Sequence, residues 1–287
     1  MLCPCPRRTG LALCATALSL AVLSHAAAAF ELQGEAIQGG LLFGQATPGS
    51  TVSLDGMAVP VAPDGQFVIG FGRDETGSVE LAVTAPGGGV EQRQLDIQAR
   101  EFNIERVDGL PPRTVTPDPE ALQRIREEAQ LVNAARARRD LRTDWARGFA
   151  WPASGRLSGF YGSQRILNGE PGNPHYGVDV AAPEGSPVLA PADGVISLTH
   201  PDMYYSGGTI ILDHGLGLSS TFLHLSAVLV ETGQVVRQGE LIGRIGATGR
   251  ASGPHLDWRM NWLNRRVDPQ RLLSGPPAPA GVAQPVE

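Results

Sequence analysis

The chain has 287 residues, with 23 basic residues that are all arginine, 29 acidic residues and a net charge of −6. Its three cysteines, Cys3, Cys5 and Cys14, crowd the N-terminus, so nothing beyond residue 14 can form a disulfide, a cysteine-ligated zinc site or an iron–sulfur site. The negative charge disfavours nucleic-acid binding through a basic surface. The 36 glycines and 23 prolines, roughly a fifth of the chain against about 12% in an average protein, disfavour a helical bundle.

The first 29 residues read as an export signal. Arg7 and Arg8 form a positive start, an apolar run extends from Leu11 to Leu23, and Ala27-Ala28-Ala29 offers a cleavage site before Phe30. The run is shorter than the roughly 20 residues needed to span a bilayer. Leu13, where a small residue is wanted, argues against a lipoprotein signal at Cys14. Cleavage would leave a mature chain without a thiol, which suits an oxidising periplasm. No later apolar run is long enough to predict an integral membrane segment in that chain.

Residues 30–108 read as all-β. Turn signals such as Pro48-Gly49-Ser50, Pro63-Asp64-Gly65 and Gly87-Gly88-Gly89 separate short apolar stretches, and Thr51–Leu54 and Gln66–Ile69 alternate as strands do. This spacing predicts a small β-sandwich, and ATPGSTVSLDG…APDGQFVIG resembles bacterial immunoglobulin-like modules. Residues 109–147 read as a linker with one helix. Asp118 is its cap, Pro119 its first residue, and Leu122, Ile125, Ala129 and Val132 its narrow apolar stripe. Such a helix is either a spacer packed on a neighbouring domain or a cover over a groove. Residues 148–275 form the chemical domain, and 276–287 read as a flexible tail.

The histidines locate the chemistry. Beyond residue 29 all of them, His175, His200, His214, His224 and His255, fall in one window. In Pro174-His175-Tyr176-Gly177-Val178-Asp179, His175 and Asp179 are candidate joint metal ligands. Thr221-Phe222-Leu223-His224-Leu225 reads as an alternating strand with a histidine on one face. In His255-Leu256-Asp257, positions i and i+2 share a strand face, so His255 and Asp257 point the same way. His214, in a hairpin-like turn, reads as structural or groove-lining. His200 carries no assigned role, Tyr204 and Tyr205 read either as loop aromatics near a strand entry or as an edge of the substrate groove, and Trp258 and Trp262 anchor the last strand.

Together these segments resemble the M23 zinc metallopeptidases, the lysostaphin-like or LytM-type cell-wall endopeptidases. The resemblance covers residues 156–273 and runs through HYGVDVAAPEGSPVLAPADGVIS, GGTIILDHGLGLSSTFLHLS and GQVVRQGELIGRIGATGRASGPHLDW. It implies a mainly β chain whose C-terminal domain is an antiparallel sheet with a metal-holding groove. It implies one zinc ion, or another divalent metal, on His175, Asp179 and Asp257, with His224 and His255 catalytic. The third ligand position departs from the family, which has histidine where this chain has Asp257. A carboxylate can ligate zinc, but it is shorter than histidine and adds negative charge, which makes bound water less acidic.

Three functions follow as expectations. The first is a periplasmic metallo-endopeptidase acting on peptidoglycan stem peptides. The second is a degenerate, non-catalytic domain that binds and activates a cell-wall amidase or a divisome protein. The third is a wall-binding module that holds its ligand without cutting it. The helix or the immunoglobulin-like region blocking the groove is a further expectation.

Overall fold

The computed structural model describes residues 30–107 and 118–280. The expected leader over 1–29, with all three cysteines, lies outside the described residues, as do 108–117 and 281–287. Two antiparallel sheets form first. Phe30–Gly34, Leu41–Ala46 and Gln66–Gly70 make one, in that order, and Met57–Val59, Thr51–Leu54, Gly77–Thr84 and Val90–Ile97 make the other. Period-2 patterning explains the second: Val52 and Leu54, then Val79, Leu81 and Val83, turn inward while their neighbours stay more exposed. Each fully buried Leu or Phe contributes roughly 1.5–3 kcal/mol. The likeness of this region to immunoglobulin-like modules rests on the sequence resemblance alone.

The strand Gln66–Gly70 is buried along almost its whole length, because this region docks on the C-terminal sheet. A Cβ on Gly70 would stand 2.9 Å from Val267 and 3.0 Å from Trp262. The Phe43 and Trp145 rings lie 4.8 Å apart. Arg100 pairs with Asp268 at 2.9 Å and Arg73 donates to the Gly162 carbonyl at 2.9 Å. The strand Ile104–Val107 then pairs in parallel with Gln164–Leu167.

The helix occupies Pro119–Arg136, and the Asp118 carboxylate accepts from the Ala121 amide at 2.8 Å. Its inner stripe differs from the one expected. Leu122, Ile125 and Val132 are half-buried and Ala135 is buried, but Ala129 is exposed and Glu128 takes its place. The reason is polar: both Glu128 carboxylate oxygens accept from the Tyr204 amide, at 3.1 and 2.9 Å. The helix lies against the strands Gly194–Met203 and Gly207–Gly215 as a packed element. Among the described residues no helix is long and apolar enough to cross a membrane.

The C-terminal sheet is antiparallel. Its path runs Val235–Val236, Gly194–Met203, Gly207–Gly215, Leu218–Val228, His255–Trp262, Gly177–Ala181, Arg156–Gly159. The strand His255–Trp262 sits inside it with two distinct faces. Leu256, Trp258, Met260 and Trp262 are fully buried on one, while His255, Asp257, Arg259 and Asn261 occupy the other. The tail does not begin free: Pro277 is buried, and the Ala278 carbonyl accepts from the Gly155 amide at 2.8 Å.

Candidate metal centre

Strand register sets the centre. Asp179 and Asp257 are direct partners across the strands Gly177–Ala181 and His255–Trp262. Two glycines make room for them. A Cβ on Gly159 would lie 2.1 Å from the Asp179 Oδ2, and one on Gly177 would lie 2.5 Å from the Asp257 Oδ1. His175 arrives from the segment before the strand, fixed by its amide donating to Ser163 O at 2.8 Å and its carbonyl accepting from Gly162 N at 2.7 Å.

The donor atoms of His175, Asp179 and Asp257 all lie within 4.8 Å of one another. His175 Nε2 is 3.1 Å from Asp179 Oδ1 and 3.5 Å from Asp257 Oδ2. Ligands at 2.0–2.2 Å around a tetrahedral ion stand about 3.2–3.6 Å apart, so these spacings suit a small divalent cation. Asp179 Oδ1 is buried with no hydrogen-bond partner, which a cation would correct. Burial alone would lower the His175 pKa, but the neighbouring Asp179 and Asp257 carboxylates outweigh it and raise the value to about 10. The residues present therefore fit a metal.

His224 and His255 stand beside this set, with ring centroids 4.8 Å apart. His224 Nδ1 contacts the Thr248 carbonyl at 2.9 Å and His255 Nδ1 contacts the Gly253 carbonyl at 2.8 Å. A carbonyl oxygen only accepts, so each Nδ1 carries the hydrogen and each Nε2 is left facing away from these carbonyls. His255 Nε2 lies 3.9 Å from Asp179 Oδ1. Burial lowers the His224 pKa and favours its neutral form.

The strand reading at His224 needs a correction. Alternation breaks there: Phe222 pairs with Ile210 and Leu225 with Gly208, so the register shifts across the histidine. His224 adopts φ +66°, a left-handed conformation rare outside glycine. Its amide donates to Ser206 O at 2.8 Å. The bulge re-aims the imidazole toward His255 instead of along the regular face.

Sequence reasoning missed Arg259. Its Nε lies 3.0 Å from both Asp257 oxygens, and its Nη2 lies 2.5 Å from Oδ2. Burial opposes ionisation of Asp257, but the Arg259 and His175 charges hold its carboxyl far below the usual range. The signal was present, since His255, Asp257 and Arg259 alternate along one strand face. Each carboxylate oxygen has a second lone pair, so the clamp leaves Asp257 able to ligate.

The remaining candidates separate clearly. His214 is fully buried, with Nδ1 donating to Asp193 O at 2.7 Å and Nε2 accepting from Ser220 Oγ at 2.9 Å. His200 Nδ1 accepts from the Asp202 amide at 3.1 Å, away from the centre. Tyr204 and Tyr205 pack edge to face, with the Arg250 guanidinium 4.7 Å above the Tyr205 ring. Trp258 and Trp262 are fully buried in the strand they were expected to anchor.

The region that carries these residues is similar to known proteins. Residues 173–269 match the model of Peptidase family M23. A solved structure of a Pseudomonas aeruginosa protein assigned to peptidase M23 aligns with a TM-score of 0.65 and 30% identity, over 83% of this chain and 95% of that one. The peptidoglycan DD-endopeptidase ShyA of Vibrio cholerae is 42% identical over 97 residues, which are 33% of this chain and 22% of that protein. The cell division protein DipM of Caulobacter vibrioides is 31% identical over 165 residues, 55% of this chain and 26% of that protein. The chain thus spans about a quarter or less of the length of these two relatives.

Proposed function

We propose, from the premise that the chain belongs to peptidase family M23, that it is an exported zinc-dependent endopeptidase hydrolysing peptide cross-links of peptidoglycan. The observation that carries this reading is the convergence of His175, Asp179 and Asp257 beside two histidines whose Nε2 atoms face away from the carbonyls that hold Nδ1. The similarity to a peptidoglycan DD-endopeptidase supplies the substrate class, and the sequence of residues 1–29 supplies the export step.

In this reading His175 Nε2, Asp179 Oδ1 and Asp257 Oδ2 hold the ion. Bound there, a divalent metal polarises a carbonyl and lowers the pKa of a water molecule. The chain's own residues do the rest. Arg259 fixes the Asp257 carboxylate in one orientation and offsets part of its charge. Thr248 O and Gly253 O fix the tautomers of His224 and His255. One Nε2 accepts the proton of the attacking water. The proton so accepted passes to the leaving amine, while the other ring stays neutral. Rings 4.8 Å apart disfavour two positive charges at once, so the pair holds one proton through the cycle.

A second reading is favoured by one observation. Arg259 bonds both oxygens of the residue that stands where the family's third metal ligand is a histidine, which suits a domain that binds a wall amidase or divisome partner without cutting. The similarity to a cell division protein points the same way. Incubation of the mature chain with zinc and purified sacculi separates the two. New muropeptides that vanish with His224→Ala support the peptidase. Their absence, with amidase stimulation in a mixed assay, supports the activator.

A further inference from the structure

Three arginines gather on the strand face that carries Asp257, beyond that residue. Arg259 lies on the strand face two residues beyond Asp257, about 7 Å along the strand. Its cross-strand neighbours are Gly177 on one side and Thr221 on the other. Arg136, from the last turn of the helix, donates to Thr221 Oγ1 at 3.0 Å, and its buried Nε has no partner. Arg266, across from Asn261, lies with its guanidinium 5.6 Å from the Tyr176 ring centroid. Among the described residues only Asp257 pairs with an arginine of this group, and it pairs with Arg259 alone.

Such a group is costly without an anion. Burial lowers Arg136 to about 9, with Arg266 and Arg259 adding repulsion, and burial followed by Arg259 also lowers Arg266. One carboxylate against three guanidiniums leaves a local excess of positive charge, and a metal ion on Asp257 would enlarge it. The Arg259 side chain remains 27% exposed, so a solute can reach the cluster. The face is also the one that carries His255 and Asp257, so a ligand extending from the metal centre along this strand meets it.

We infer that Arg136, Arg259 and Arg266 form an anion subsite that takes a free carboxylate on the peptide substrate within two residues of the scissile bond. Two residues of an extended peptide span roughly 7 Å, the same as the step from Asp257 to Arg259. The inference rests on the peptidase reading above and names its substrate as a peptide acid. It also gives the helix a role other than a spacer or a cover, since its last turn supplies one wall of the subsite.

The test compares N-acetyl-D-alanyl-D-alanine with its C-terminal amide on the zinc-loaded mature chain. Binding is followed by NMR titration and sacculus digestion is run in parallel. The acid binds about tenfold more tightly than the amide, as a charge-assisted contact predicts. Arg136→Gln and Arg266→Gln each bring that ratio towards one, while Arg266→Lys keeps most of it. On sacculi the same two Gln variants raise KM and leave kcat close to that of the parent. Equal binding of acid and amide by the parent chain overturns the inference, as does a ratio unchanged in both Gln variants. Displacement by inorganic phosphate without any acid–amide difference identifies a general anion site and also overturns it. Acid preference without digestion keeps the subsite and removes the peptidase reading; digestion without acid preference removes the subsite alone.

Discussion

His214 and His224 sit at opposite ends of one hairpin, formed by the strands Gly207–Gly215 and Leu218–Val228. Both are buried, at 0% and 6% exposure, and burial lowers the pKa of both. At the turn end, His214 has both ring nitrogens engaged, by Asp193 O and Ser220 Oγ, and Trp258 Nε1 donates to the same Ser220 oxygen at 3.2 Å. At the open end, His224 has only Nδ1 engaged and takes a left-handed backbone conformation at a bulge. Burial does not distinguish a structural histidine from a chemical one here. The nitrogen left without a partner does, together with the bulge that aims it.

The largest expected effect lies at the open end. His224→Ala should lower muropeptide release by at least about a hundredfold, the ordinary contribution of a positioned acid or base, and leave the melting temperature almost unchanged. A loss below threefold would place the chemistry elsewhere. At the turn end the pattern should invert: His214→Phe should cost about 1–3 kcal/mol, because Asp193 O and Ser220 Oγ lose their buried partner, with turnover per folded molecule unchanged. Denaturant titration beside the sacculus assay reads both numbers.

The pH dependence of stability sharpens the same contrast. His214 has a folded pKa of about 4 against an ordinary 6.5. Between these values the unfolded chain binds more protons than the folded one. The stability contribution is therefore present above pH 6.5 and is lost as pH falls towards 4, on the order of 3 kcal/mol in all. Stability curves at pH 7 and 4.5 should show it, and His214→Phe should flatten that part of the slope. The smallest effect belongs to His200, half-buried and bonded only to the Asp202 amide; His200→Ala should move neither activity nor melting temperature beyond error.

Much of the centre was legible because its signals are local. His175 and Asp179 are four residues apart, His255 and Asp257 two apart, and strand periodicity places the second pair on one face. The strand Thr51–Leu54 and the Asp118 cap were legible for the same reason. The bulge at His224 was not, because it arises from the register with Gly208 and Ile210 on another strand. The exchange of Ala129 for Glu128 on the inner side of the helix depends on the Tyr204 amide, 76 residues away. Arg136 and Thr221 are 85 residues apart, and no local pattern announces their contact. Arg259 was readable from alternation, but its clamp on Asp257 also required Gly177 opposite it, where any Cβ would crowd the Arg259 side chain at 2.6 Å.

The central claim is that His175, Asp179 and Asp257 hold a divalent metal despite the Arg259 clamp. Metal analysis of the purified mature chain, beside Asp257→Ala and Asp257→His, tests it most directly. The account predicts one divalent ion per chain, lost in Asp257→Ala and kept in Asp257→His. A parent chain that stays metal-free after dialysis against micromolar zinc, while Asp257→His binds one equivalent, would contradict it.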